Sequence, residues 1–271
     1  MSLIGIHISD ILDISKPYNS NINFYQLFVS ATKEYKNNKK YKKIFTLISK
    51  RNIKLVVHGS YSINLSRDWE NTDWWIQQLS KEIKIAQEIG ASAIVIHTGK
   101  QLKLSTGEAI NNMYTSFLHI HKITDNNIKI LIETPSGQGT ETLIELESLC
   151  RFMNKFYRHP DKKVNERFGL CIDTCHIYAS GIDITKQNIL NRYFNTIDKC
   201  IGIDKIKLCH INDSKGGLGS KLDRHQNIGD GNIGKKAIIN VVKFMNRLKI
   251  PMILETPYNK IHKDYELLFN C

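Results

Sequence analysis

Proline is scarce in this chain, with five in 271 residues, and no stretch is rich in proline and glycine. Nothing is therefore available to act as a hinge between domains. The six cysteines are scattered, without the dense spacing of a secreted disulfide scaffold. Internal repeats at a period of roughly 20–50 residues are absent, and so is any low-complexity tract. No apolar run reaches the ~20 residues of a membrane span. The opening MSLIGIHISDILD has neither a basic segment nor a long apolar one, so it does not read as a signal peptide. These absences predict a single domain covering residues 1–271, away from membranes, in a reducing intracellular setting. Cytoplasm, nucleus and viral particle are not distinguished. A chain of this length buries roughly 75% of its unfolded surface and needs no staples.

Acidic residues are also in the minority, 26 against 38 Lys and Arg, giving a formal net charge of +12 and a pI near 9.3. Such a balance favours polyanionic partners, nucleic acid first. A composition rich in Lys and Asn from an AT-rich genome gives the same number, so charge alone decides nothing.

What is present is a recurring alternation. Short β-rich runs fall at Leu3–Ile8, Phe24–Val29, Ile53–His58, Ala93–His97, Ile128–Glu133, Phe168–Asp173, Ile206–His210 and Met252–Glu255. Several, such as KLVVH, AIVIH and IKILIE, are near-continuous apolar runs, as strands buried on both faces require. Helical spacing separates most of them. The clearest is Asp73–Ile89, where Ile76, Leu79, Ile83, Ala86 and Ile89 recur at three and four residues and Gly90 follows as a stop. Glu141–Phe156, Ile189–Cys200 and Ala237–Leu248 read similarly; the link between the first two strands is the poorest helix. Eight such units predict a single-domain α/β fold, the (β/α)8 TIM barrel.

Strands 3 to 8 end, in order, on His58, His97, Glu133, Asp173, His210 and Glu255. In a barrel these ends meet at one rim, where active sites form. A lone His at a strand end reads best as a hydrogen-bonded structural residue, and a lone buried Glu after ILI is costly unless paired or coordinated. Six in register predict a metal cluster. Imidazole and carboxylate without thiolate suit divalent zinc, manganese or iron.

The segment GLCIDTCH holds Cys171 and Cys175 beside Asp173 and His176. The thiols are expected to pack; Asp173 and His176 are expected to ligate, facing different ions. In LDRHQNIGDGNIG, Asp223 and His225 stand two apart in a loop and could chelate one ion with His176. The GxGxxG string at Gly229, Gly231 and Gly234 does not directly follow a strand, so it is expected to shape a loop rather than bind a dinucleotide.

The segments LIGIHIS, HGSYSINL, VIHTGK, LIETPSGQG, GLCIDTCHIYASG, CHINDSKGGLGSKLDRHQNIGDGNIG and ILETP together resemble the endonuclease IV family of apurinic/apyrimidinic (AP) endonucleases, over nearly the whole chain. The resemblance implies three Zn2+ ions, with Mn2+ possible at one. His58, His97 and Glu133 would hold the first. Glu133 would bridge to the second, completed by Asp173, His210 and Glu255. His176, Asp223 and His225 would hold the third. The implied substrate is double-stranded DNA with abasic or 3′-blocked sites, cut 5′ to the lesion by a monomer, with Glu133 at the catalytic centre. Tyr61 matches a family position that enters DNA near the lesion, and Arg224 is expected at a phosphate.

Two loops depart from the family, DILDISKPYNSN and SATKEYKNNKKYKK. In the second, Lys39, Lys40, Lys42 and Lys43 read equally as phosphate contacts or as a solvated helix start. His7 reads as an outer partner that orients a ligand, or as core. The competing function is a sugar isomerase or epimerase of xylose-isomerase type. It would use Glu133, Asp173, His210 and Glu255 but has no need of the Asp223/His225 pair. A non-catalytic DNA-binding protein with structural zinc is a third reading, disfavoured because structural sites are usually closed and rich in thiolate.

Overall fold

The computed structural model describes residues 3–30, 35, 38–125 and 127–271, with every side chain among them except those of Tyr18 and Lys40. Seven parallel strands follow in order: β1 (Ile4–Ile8), β2 (Phe24–Phe28), β3 (Lys54–His58), β4 (Ala93–His97), β5 (Lys129–Glu133), β6 (Phe168–Asp173) and β7 (Ile206–Ile211). Two-residue strands β8 (Asp213–Ser214) and β9 (His225–Gln226) pair antiparallel outside the barrel. The last strand, β10 (Met252–Leu254), inserts between β7 and β1 and closes the barrel.

Helices α1 (Lys39–Arg51), α2 (Trp74–Glu88), α3 (Thr106–Ile123), α4 (Leu146–Tyr157), α5 (Lys162–Arg167), α6 (Thr174–Ala179), α7 (Gln187–Ile201), α8 (Lys235–Leu248) and α9 (Ile261–Phe269) complete the fold. The apolar stripe expected on α2 is the buried one, with Ile76, Leu79, Ile83 and Ala86 all inside. Gly90 ends it at φ +77°, where a side chain would be strained. Among the described residues no helix is long and apolar enough to cross a membrane.

Strand alternation divides the core in two. Phe24, Val56, Ala93, Val95, Leu131, Cys171, Leu208 and Ile253 fill the inside of the barrel. The opposite phase of the strands packs against the helices in a larger outer cluster. This is why the runs are apolar at nearly every position: both faces of each strand are covered.

Three expectations need correction. The segment between β1 and β2 contains two 3-10 turns, Ile11–Ser15 and Pro17–Asn19, and no α-helix. The expected helix Glu141–Phe156 starts only at Leu146, because the Glu141 carboxylate turns back to accept from the Gly137 and Gln138 amides, each at 2.9 Å, and Leu143 adopts φ +62°. Glu255 lies just beyond its strand, not within it.

At the end of the barrel where β6 begins, Arg167 is only 1% exposed. Its guanidinium donates to the Ile128, His121 and Asp125 carbonyls at 3.2, 3.0 and 2.8 Å, and to Thr124 Oγ1 at 2.7 Å. It thereby satisfies carbonyls at the end of α3 and the approach to β5. Replacing Arg167 with Met leaves those carbonyls buried without donors. The expected cost is about 3 kcal/mol or more, read as a lower urea midpoint.

Candidate metal centre

The inward phase of each strand carries the site. Two residues beyond the packing residues Val56, Val95, Leu131, Cys171, Leu208 and Ile253 come His58, His97, Glu133, Asp173, His210 and Glu255. The pleat returns each to the same face. All six predicted strand-end residues therefore look into one mouth of the barrel.

Loop residues join them. At the end of β6 the chain turns at once into α6, with Asp173 as its cap: Oδ1 accepts from the His176 amide at 2.9 Å. That leaves Asp173 Oδ2 for the centre and swings His176 into it. Asp223 and His225 arrive on the loop after β7.

Three groups of side chains have ligand-type atoms within 4.8 Å of one another: His58, His97 and Glu133; Glu133, Asp173, His210 and Glu255; and His176, Asp223 and His225. Glu133 belongs to two of them, one oxygen each way. Its Oε2 lies 3.1 Å from His97 Nε2 and 3.6 Å from His58 Nε2. Its Oε1 lies 2.6 Å from His210 Nδ1. Between the second and third groups, Asp173 Oδ2 sits 3.8 Å from His210 Nδ1 and 3.6 Å from His225 Nε2.

The donor set fits divalent cations, and two observations carry that. First, Glu133 Oε2 and His176 Nε2 are buried without a well-formed hydrogen bond, although His97 Nε2 and Asp223 Oδ1 stand 3.1 Å from them, a costly arrangement unless something else satisfies them. Second, the tautomers are set from behind. The Nδ1 atoms of His58, His176 and His225 face the carbonyls of Gly59, Thr134 and Glu255 at 2.8, 2.8 and 3.2 Å. A carbonyl only accepts, so each Nδ1 carries a proton, and in the neutral ring the Nε2 lone pair points into the centre. Metal-binding histidines are commonly oriented this way.

The thiols also lie close. Cys171 falls within reach of Glu133 and His210, and Cys175 within reach of Asp173 and His225. Burial pushes Cys171 well above, and Cys175 up to about 12 from, the ordinary thiol value of 9.0. Both are therefore held as neutral thiols, Cys171 packed in the barrel interior.

The charges of the centre are strongly coupled. Burial alone would raise Glu133, but His210 and His97 hold it well below the usual carboxylate range. Asp223 is likewise depressed against burial, by His176 and His225. Asp173 goes the other way, raised by burial and by the neighbouring Glu133 and Glu255 charges. Burial would lower the imidazoles, yet adjacent carboxylates raise His210 and His225 to about 9. His97 is lowered to about 4 by burial.

Of the predicted DNA contacts, Tyr61 is 63% exposed and its ring stands 5.2 Å from the rings of both His58 and His97. It overhangs the mouth. Arg224 is exposed and shares a cleft of about 430 Å3 with Tyr61, Lys100, Asp223 and His225. Lys39, Lys42 and Lys43 are exposed at the start of α1, while the Lys40 side chain lies outside the described residues. His7 faces inward and approaches Glu255 Oε1 at 3.7 Å.

Sequence reasoning missed Asn212, Asp213 and Gln26. Asn212 Nδ2 donates to Asp173 Oδ2 at 2.7 Å and to Glu255 Oε2 at 3.2 Å; it is two residues after His210, on the same phase. Asp213 explains the glycine string. Its carboxylate accepts from the amides of Gly229, Gly231, Ile233 and Gly234 at 2.9 to 3.3 Å. A Cβ on Gly231 would sit 2.5 Å from Asp213 Oδ1, so only glycine lets the backbone close on it. The loop amides form an anion nest, filled by the protein's own carboxylate, which anchors the segment bearing Asp223 and His225.

Comparison with known proteins sharpens this. The family pattern described as xylose isomerase-like TIM barrel matches residues 21–268. A putative endonuclease 4 of Acanthamoeba polyphaga mimivirus is 34% identical over 283 aligned residues, covering 96% of this chain and 87% of the relative. A probable endonuclease 4 of Staphylococcus aureus is 36% identical over 206 residues, covering 75% of this chain and 67% of the relative. Among solved structures, endonuclease IV of Thermus thermophilus superposes with a TM-score of 0.77 at 20% identity, over 99% of each chain. A D-tagatose 3-epimerase-like protein fits nearly as well, with TM-score 0.74 at 20% identity, over 100% of this chain and 96% of that one. The shape thus leaves nuclease and epimerase level, and it is the sequence relatives that separate them: within the xylose isomerase-like TIM barrels, this chain belongs to the endonuclease IV family of AP endonucleases.

Proposed function

We propose that this chain hydrolyses the phosphodiester on the 5′ side of an abasic site in duplex DNA, leaving a 3′-hydroxyl and a 5′-deoxyribose phosphate, and that the same centre removes 3′-blocking groups. The observation that carries this reading is Glu133: a buried carboxylate whose two oxygens face two separate imidazole groups, one oxygen without a well-formed hydrogen bond. Three Zn2+ ions, with Mn2+ compatible with one position, match the all-nitrogen-and-oxygen donor sets.

Such ions, when bound, supply Lewis acidity and bring the pKa of a coordinated water from 15.7 to about 7. The protein's own residues do the rest. Glu133 holds the first two donor groups in fixed register. In the third group, Asp223 and His225 come from the segment tied to Asp213, flank Arg224 and meet His176 of α6. Tyr61 overhangs the opening where it can stack on or wedge beside exposed DNA surface, and Arg224 and Lys100 offer cationic contacts to phosphate. An abasic nucleotide lacks a stacked base, so moving it into the mouth costs less than flipping a normal one. The net charge of +12 favours a duplex over a free sugar. The protein would act as an intracellular monomer. The epimerase reading leaves Asp223, His225 and the loop that presents them without a task.

Incubating zinc-loaded protein with a duplex carrying one abasic analogue should give a single cut 5′ to the lesion, abolished by a chelator. No cut, together with turnover of a free ketose, would move the assignment to the epimerases. Glu133→Gln should slow incision by at least about a thousandfold, roughly 4 kcal/mol, with salt-sensitive DNA binding largely retained. Undiminished incision would refute the bridging role.

Without ions, protons on His210 and His225 offset the surrounding carboxylates. Both pKa values are raised from 6.5 to about 9 in the folded chain, so the stability they confer is complete below pH 6.5 and lost as pH rises through about 9. The urea midpoint of chelated protein should therefore fall across that window, by the equivalent of at least about 1 kcal/mol. Zinc-loaded protein should not show the fall, because ions displace the protons.

A further inference from the structure

Gln26 lies in the middle of β2 and is fully buried. It is the one polar residue in the run FYQLF, on the inward phase with Phe24. Its amide touches three partners. Nε2 lies 2.5 Å from Glu255 Oε1 and 3.1 Å from His7 Nδ1, and Oε1 lies 2.8 Å from His210 Nε2.

Only one orientation of the amide satisfies all three. A carboxylate oxygen accepts, so the NH2 end must face Glu255, and its second N–H then goes to the lone pair on His7. The carbonyl end is left for His210, whose Nε2 must carry a proton. His210 is thereby set opposite to its neighbours. His58, His176 and His225 are tied through Nδ1 to backbone carbonyls and present Nε2. His210 is tied through Nε2 and presents Nδ1 to Glu133, Glu255 and Asp173 at 2.6, 3.2 and 3.8 Å.

We propose that Gln26 is the positioning residue of the second ion site: it holds the Nε2–H form of His210 so that Nδ1 ligates, and it occupies Glu255 Oε1 so that Oε2 turns to the ion. His7 completes the device by taking the remaining amide hydrogen. The assignment rests on the metal reading above, but it concerns a residue outside the nine donors and predicts which nitrogen of His210 binds.

The test compares wild type, Gln26→Leu and Gln26→Glu by zinc competition against a chromophoric chelator. A second readout is the imidazole nitrogen resonances of the zinc-loaded proteins. In Gln26→Leu, one ion should bind about 10–100-fold more weakly, with the remaining ions within about twofold of wild type. Wild type should show His210 bound through Nδ1 with a protected Nε2–H, and the leucine variant should lose that protection. Gln26→Glu keeps the acceptor for His210 but sets an acceptor against Glu255 Oε1, so it should restore the protected Nε2–H while the weakened ion stays weak, separating the two halves of the device. A merely structural role would lower the urea midpoint while leaving ion affinities and the His210 resonances unchanged. That result, or His210 ligating through Nε2 in wild type, overturns the proposal while the metal reading stands. Wild type that takes up no zinc overturns both.

Discussion

Four carboxylates converge in one mouth, and two of them, Glu133 and Asp173, are essentially without solvent. Isolated, each would cost several kcal/mol to bury as an ion. The rest of the centre is an answer to that cost. Five imidazoles interleave with the four acids, so that nearly every carboxylate oxygen has a nitrogen within about 4 Å as its neighbour. The fit is still incomplete. Acceptor faces acceptor where Glu133 Oε2 meets His58 Nε2 at 3.6 Å, and Asp173 is pushed toward its protonated form by burial and by the Glu133 and Glu255 charges. A cation between those lone pairs resolves both conflicts at once.

Around the donors, backbone and amide groups leave little to chance. Carbonyls of Gly59, Thr134 and Glu255 fix three imidazoles. Asn212 spans Asp173 and Glu255, and its own Oδ1 accepts from the Glu255 amide at 2.9 Å. Asp264 secures the other end of the loop, accepting from Asn227 Nδ2 at 2.7 Å and from the Ile228 amide at 3.2 Å. Two members of the third group, Asp223 and His225, thus sit on a segment anchored by two buried carboxylates, Asp213 and Asp264. Precision on a loop requires such anchors, whereas a donor on a strand inherits its aim from the pleat.

That difference bears on how one barrel serves different chemistries. Glu133, Asp173, His210 and Glu255 are the part of the centre that the competing sugar-isomerase reading would also use. What departs from it is His58 and His97 at the ends of β3 and β4, His176 in the first turn of α6, and the rim residues Tyr61 after β3 and Asp223 and His225 after β7. Fold similarity weighs the strands, and so it is indifferent between the two activities. Under the proposed reading, much of what separates the two activities lies on the rim rather than in the barrel frame.

Much of this was legible from order alone. Apolar runs of strand length ending on His, Glu or Asp are one-dimensional features, and the closed barrel converts them into a single rim without further information. The same holds for Asp173 and His176, whose spacing matched a turn even though α6 was not foreseen. Helix starts were less legible. Glu141 sits in a stretch with helical spacing, but its side chain prefers the turn amides of Gly137 and Gln138, and that competition is invisible until the loop folds. The residues missed altogether share one trait. Asp213 acquires meaning only when a chain segment some 16 to 21 positions later wraps around it. Gln26 acquires it only when residues 184 and 229 positions away arrive beside it. A buried amide in an apolar strand was the available signal. It marks a position that must find hydrogen-bond partners, and only barrel closure says that those partners are His210 and Glu255.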